Sequence, residues 1–166
     1  VEGVGEATIS ALKIVAASAV RLSRSRVINR PTLSSWPALL DYCHASMAYH
    51  STEQFRVLFL DCENVLIAEE VQQTSPVDHT PVYPREVVRR ALDLSASAVI
   101  LVHNHPSGDP TPSQADIEMT RQLAAAGAPP GVSAHDHLVI ALRGPHSFHG
   151  PGVAVGVCPS ASRGAP

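Results

Sequence analysis

Residues 103–116 read His-Asn-His-Pro-Ser-Gly-Asp-Pro-Thr-Pro-Ser-Gln-Ala-Asp, directly after the apolar run 98–102. Imidazole nitrogens and carboxylate oxygens bind divalent ions, so the types and spacing of His103, His105 and Asp116 could do metal chemistry. The preceding run is short and rich in β-branched residues, as suits a strand buried on both faces. In an extended chain residues i and i+2 point to the same side, so His103 and His105 can reach one ion while Asn104 points away. Asp116 falls where a helix should begin and can bring a carboxylate to the same point. Two nitrogens and one oxygen, with a fourth position left for water, make the donor set of a catalytic zinc rather than a structural one. The stretch 113–116, Ser-Gln-Ala-Asp, also has the form of a capping box. Capping and ligation are compatible, because Ser113 can fix the helix start that aims Asp116.

A hydrolytic centre of this kind needs a carboxylate to accept a proton from water. Glu53, Glu63, Glu69, Glu70 and Glu86 are all available for that task. His135 and His137 flank Asp136 just before the apolar segment 138–140 and share one face of a strand there. A second metal site is one reading; the favoured one makes Asp136 and His137 groups that orient the metal ligands.

The elements that must position these residues follow from pattern. Periodicity predicts helices over 7–22 and 35–49, the second with Trp36, Leu39, Leu40, Cys43 and Met47 on its apolar face. A third opens at Pro84 with Val87, Val88, Ala91 and Leu92 inward, and a fourth runs from Ser113 to about Ala126 and stops at Gly127. Strands are expected at 55–60, at 65–71 across a turn at 61–64, at 98–102 and around 138–140. The segment 72–83 contains Pro76 and Pro81 and reads as a loop. Only Ser147-Phe148 hints at a last strand, and a frayed tail is expected over 151–166.

With 166 residues, 45% of them hydrophobic, the chain can bury a core large enough to stand alone. Its three cysteines, Cys43, Cys62 and Cys158, lack paired spacing, so neither a disulfide framework nor a thiolate zinc site is indicated. A reducing, cytoplasmic setting fits this composition. No apolar stretch approaches a membrane span, and a soluble chain without membrane contact is expected. The net charge of −3 gives no global attraction to nucleic acid.

The pattern His-x-His-Pro, six residues, Ser-x-x-Asp resembles the metalloprotease signature of the JAB/MPN (JAMM) domains. The longer string from His103 to Ser113, with 116–118 (Asp-Ile-Glu) and 136–138 (Asp-His-Leu), resembles specifically the RadC-like branch, over roughly residues 50–145. The resemblance implies an α/β (α+β) fold with a JAB/MPN-type mixed β-sheet flanked by helices. It implies a Zn²⁺ held by His103, His105, Asp116 and a water, with an upstream glutamate as general base. Glu53, placed before 55–60 as in the family's Glu-x-Phe-x-Val-Leu pattern, matches that glutamate. The resemblance further implies that Ser113 stabilises the oxyanion of a tetrahedral intermediate. A zinc-dependent peptidase acting on an amide or isopeptide bond of a peptide or protein is therefore expected.

Ahead of that domain, the glycines of 3–5 (Gly-Val-Gly) and Arg21, Arg24, Arg26 and Arg30 resemble half of a helix-hairpin-helix module, such as RadC-like proteins commonly carry. The exposed amides of such a hairpin can hold a phosphate. The first helix of the pair is lacking, which reads as a fragment or a degenerate copy. The organisation expected is thus a truncated helix-hairpin-helix-like segment at 1–30, a linker and helix at 31–50, the JAB/MPN domain at 51–150 and the tail. The alternative function is a non-catalytic or DNA-associated accessory protein with a vestigial metal site, touching DNA weakly through the N-terminal segment.

Overall fold

Period-two alternation sorts the strand side chains onto two faces, and helices cover both. The computed structural model describes residues 4–32, 35–73 and 82–148. Helices α1 (Glu6–Ser25) and α2 (Trp36–Met47) are followed by strands β1 (Phe55–Leu60) and β2 (Leu66–Gln73), then α3 (Pro84–Asp93), β3 (Ala98–Asn104), α4 (Gln114–Gly127), β4 (Ser133–Ala141) and β5 (Gly144–Ser147). The five strands form one mixed sheet in the order β2-β1-β3-β4-β5. β3 and β4 are parallel, joined through α4, while the other neighbours are antiparallel. This is the α+β arrangement that the sequence predicts.

Every residue of β3 is buried. Ile100 and Val102 join Leu58, Leu60, Leu138 and Ile140 on one face, under Leu39, Cys43 and Met47 of α2. Val99 and Leu101 join Val57 and Phe59 on the other, under Val87, Val88 and Ala91 of α3 and Leu123 of α4. The even and odd positions of one strand therefore serve two separate cores. By the same parity His103 falls on the α3/α4 face and Asn104 on the α2 face.

Several boundaries and the orientation of Leu92 differ from the sequence expectation. α1 is longer at both ends, β3 continues through His103 to Asn104, and β2 runs to Gln73, two residues into the segment read as a loop. Residues 74–81, with Pro76 and Pro81, lie outside the described residues, as do 149–166 with Cys158 and the expected tail. Leu92, expected inward, is half exposed. At 100° per residue it lies beyond the margin of the stripe formed by Val87, Ala91 and Val88. Among the described residues no helix is long and apolar enough to cross a membrane.

α4 ends where the sequence predicts, and the reason is steric. The Gly127 carbonyl accepts from the Val132 N–H at 2.9 Å, so the chain turns back directly over this residue. A Cβ placed on Gly127 would stand 2.3 Å from the Val132 carbonyl oxygen. A glycine-to-alanine change in a helix ordinarily stabilises by up to about 1 kcal/mol. Here Gly127→Ala is expected to reverse that sign and destabilise by roughly 1–3 kcal/mol, as overpacking does. Urea unfolding measures it, and a raised midpoint would contradict the contact.

Candidate metal centre

β1 and β3 pair antiparallel, with Phe55 opposite His103. One step beyond that last rung, the Asn104 N–H donates to the Gln54 carbonyl at 3.4 Å. The Asn104 side chain, fully buried, then accepts from the Gln54 N–H at 2.9 Å and donates to the Thr52 carbonyl at 3.1 Å. The backbone on both sides of Glu53 is thereby fastened to the strand that carries His103 and leads into His105. The Glu53 carboxylate lies within 4.8 Å of ligand nitrogens of both His103 and His105.

The His103 and His105 rings meet with their Nε2 atoms 3.0 Å apart. Asp116 reaches the same point from the first turn of α4. One of its oxygens is 3.3 Å from His103 Nε2 and the other 3.6 Å from His105 Nε2. Ligands held about 2.0–2.1 Å from a tetrahedral ion lie about 3.3–3.4 Å from one another, so these spacings suit a zinc-sized cation. Asp116 occupies the third helical position of a complete capping box. Its Oδ2 accepts from the Ser113 N–H and the Ser113 hydroxyl, each at 2.7 Å. Burial alone would push the Asp116 carboxyl up, but the hydrogen bonds from His103 and Ser113 outweigh it and hold the group well below the usual carboxylate range. It is therefore an anion throughout the neutral range.

The loop after β3 is folded to present His105. Its N–H is held by the Ile140 carbonyl of β4 at 2.9 Å, and the Gly108 N–H returns to the His105 carbonyl at 3.0 Å. Gly108 takes φ +82°, a conformation that L side chains rarely adopt. The Asp109 carbonyl, which can only accept, lies 2.9 Å from His105 Nδ1. That contact makes Nδ1 a donor and turns Nε2 toward His103 and Asp116. Ring nitrogens and a carboxylate thus converge on one point, a donor set that suits a cation.

β4 supplies the next layer. His137, fully buried, places Nε2 2.8 Å from His103 Nδ1 and Nδ1 2.7 Å from the Thr120 hydroxyl oxygen. Burial, and then the neighbouring His103, push His137 down to about 3 from its ordinary 6.5. Phe148 stacks on the His137 ring at 4.8 Å, and Phe55 stacks on His103 at 6.1 Å. Asp136 does not face the cluster: its carboxylate accepts from the His137 N–H at 2.7 Å and from the Ser147 hydroxyl, tying β4 to β5.

His135 and His137 do not come together. A register shift between Val99 and Ile100 changes the pairing along β4, and the His135 Nε2 lies 2.6 Å from Asn64 Oδ1 instead. The rival carboxylates are engaged elsewhere. Glu69 pairs with Arg56 and accepts from Tyr42, Glu70 binds Arg90, Glu86 binds Arg89, and Glu63 sits exposed in the turn between β1 and β2. Sequence reasoning passed over Thr120 and the clamp made by Asn104. Thr120 is four residues from Asp116, and that helical spacing was a signal for its sharing a face with the candidate ligand.

A family model for the RadC-like JAB domain matches residues 33–153. A UPF0758 protein of Rhodobacter capsulatus is 65% identical over 153 residues, covering 92% of this chain and 72% of the relative. A UPF0758 protein of Ruegeria pomeroyi is 60% identical over 152 residues, covering 92% of this chain and 68% of the relative.

The Asn104 clamp yields a measurable expectation. Asn104→Ala strands the buried Gln54 N–H and removes the partner of the Thr52 carbonyl, at a cost of about 1–3 kcal/mol. Hydrogen exchange should show the Gln54 amide losing protection while amides in the middle of β3 keep theirs. Unchanged exchange at Gln54 would mean that the clamp is not formed in solution.

Proposed function

The chain belongs to the RadC-like JAB domain family, and from that premise we propose that it is a zinc-dependent hydrolase of amide or isopeptide bonds in peptides or proteins. The observation that carries this reading is the approach of two imidazole nitrogens and one ionised carboxylate to within 3.0–3.6 Å of each other. Their rings and carboxylate are held from outside by Asp109, His137 and Ser113. Like-polarity acceptors pressed together in this way gain most from a bound cation, and nitrogen with oxygen donors suits zinc.

His103, His105 and Asp116 are the groups that would hold the ion. A zinc ion with three protein ligands supplies Lewis acidity and lowers the pKa of a water to about 7. Glu53, anchored by its neighbours and exposed to solvent, is the base that takes the proton and hands it to the departing amine. Ser113 holds Asp116 through two bonds. Its backbone N–H keeps the carboxylate in place when the hydroxyl turns toward a substrate oxyanion, where a preorganised donor is worth roughly 3 kcal/mol. His137 and Asp136 support the centre without touching substrate.

Two measurements test this assignment. The purified protein should bind close to one equivalent of zinc by elemental analysis, and His103→Ala or Asp116→Ala should remove it, because the remaining donors are too few for tight capture. Full retention in both variants would dismiss the ligand set. Glu53→Gln should keep zinc and fold while lowering hydrolysis of a peptide found by screening by roughly 10²-fold or more, the loss expected for a general base. Loss of zinc in Glu53→Gln would make Glu53 a ligand instead, and full activity would return the role to another carboxylate.

A further inference from the structure

We infer that Arg56 is a positioning residue for Glu53: its guanidinium grips the Gln54 side chain and so holds the neighbouring carboxylate at the metal centre. The inference rests on the proposed base role of Glu53 for its purpose, while the grip itself is a matter of geometry. Arg56 shares its parity along β1 with Leu58 and Leu60, so its side chain enters the α2 face of the sheet rather than the face that carries His103. There Nε and Nη2 both donate to Gln54 Oε1, at 2.8 and 2.6 Å. A guanidinium can only donate, so Gln54 must present its oxygen. Nη1 donates to Glu69 Oε1 at 2.8 Å. Ser46 of α2 accepts from Nη1 at its hydroxyl and from Nη2 at its carbonyl, each at 3.4 Å. The five N–H groups of the guanidinium thus meet five acceptor contacts. Only 13% of the Arg56 side chain and 11% of that of Glu69 are exposed, so water is a poor substitute for these partners.

The grip falls where the sheet is least regular. Phe55 stands opposite Gln73 but Arg56 opposite Val71, a register shift that interrupts the β1–β2 ladder where the chain runs out toward Glu53. The Arg56–Glu69 ion pair joins the two strands beside that gap, and Glu69 is held in turn by the Tyr42 hydroxyl of α2 at 2.5 Å. Asn104 secures the Gln54 N–H from the other neighbouring strand. Gln54 is therefore fixed at main chain and side chain together, on the α2 face. Successive side chains of an extended run take opposite faces, so pinning Gln54 there turns Glu53 to the side of His103 and His105. Glu53 itself is exposed and has no such grip of its own to rely on.

The test uses three variants of the full chain. Arg56→Lys keeps a charge beside Glu69 but loses the planar fork onto Gln54. Gln54→Met keeps the side-chain length and removes the acceptor, and the third variant combines the two. With the screened peptide, kcat should fall about 10–100-fold in either single variant, the scale of a slightly misplaced catalytic group, with KM and zinc content unchanged. The double variant should lose no more than the worse single one, because both changes cut the same link. Backbone ¹⁵N relaxation gives a reading without activity: the order parameter of Glu53 should fall in all three variants, while residues 57–60 keep the value of rigid backbone, about 0.85. Losses of kcat that multiply in the double variant would make Arg56 a structural ion pair acting independently of Gln54, and would overturn the inference. An unchanged order parameter at Glu53, or release of zinc from either single variant, would overturn it as well. Should Arg56→Lys not fold, Gln54→Met, which leaves the Arg56–Glu69 pair in place, decides through the same order parameter. A wild-type chain that hydrolyses no peptide would remove the hydrolase reading, while the relaxation result still judges Arg56.

Discussion

Two imidazole nitrogens and a carboxylate do not come within 3.0–3.6 Å of each other unaided. The scaffold has to bring them together from separate elements, and much of the local structure answers to that requirement. β3 supplies His103, the loop at 105–109 that follows it turns the His105 ring back, and the capping box at the start of α4 drives the carboxylate in. Each of the three groups is gripped on the side away from the cluster. The arrangement is preorganised, so a cation arriving there would meet donors already in place and lose little to reordering them.

The polar layer beneath the cluster is unusual for its depth. His103, Asn104, Asp136 and His137 are all buried. A buried polar group without a partner costs about 1–3 kcal/mol, so such a set is tolerable only when satisfied. Each has its bonds, largely to main-chain atoms or to Thr120 and Ser147. Main-chain partners matter because their positions are fixed by the sheet, which converts the regularity of the strands into the placement of side-chain atoms. The rings of Phe55 and Phe148 close the layer and limit how far the imidazoles can turn.

Much of this was legible in the sequence. The parity of His103 and His105 and the capping box at Ser113 both follow from local rules, and both are where those rules put them. Assigning Glu53 needed the family resemblance, because the residue lies outside the regular strand and five glutamates compete for one role. The structure brings Glu53 close to the histidines through pairing between segments fifty residues apart, which no local pattern encodes. The shared face expected for His135 and His137 failed for a related reason. A register shift in the β3–β4 pairing cannot be read from alternation, since alternation assumes an unbroken ladder. Leu92 shows a third limit: periodicity orders residues around a helix, but the width of the buried stripe depends on what lies opposite.

The position of Asn104 between the two histidines has a consequence for how this centre can fail. Because side chains alternate along β3, a slip of one residue would turn Asn104 toward the cluster and send the His103 imidazole into the apolar core under α2. The slipped strand would also lose the paired bonds from Asn104 to the Thr52 carbonyl and the Gln54 amide. The centre therefore behaves as a digital feature of the sheet, complete in one alignment and wholly absent in the next. The asparagine serves as the check bit that tells the two alignments apart.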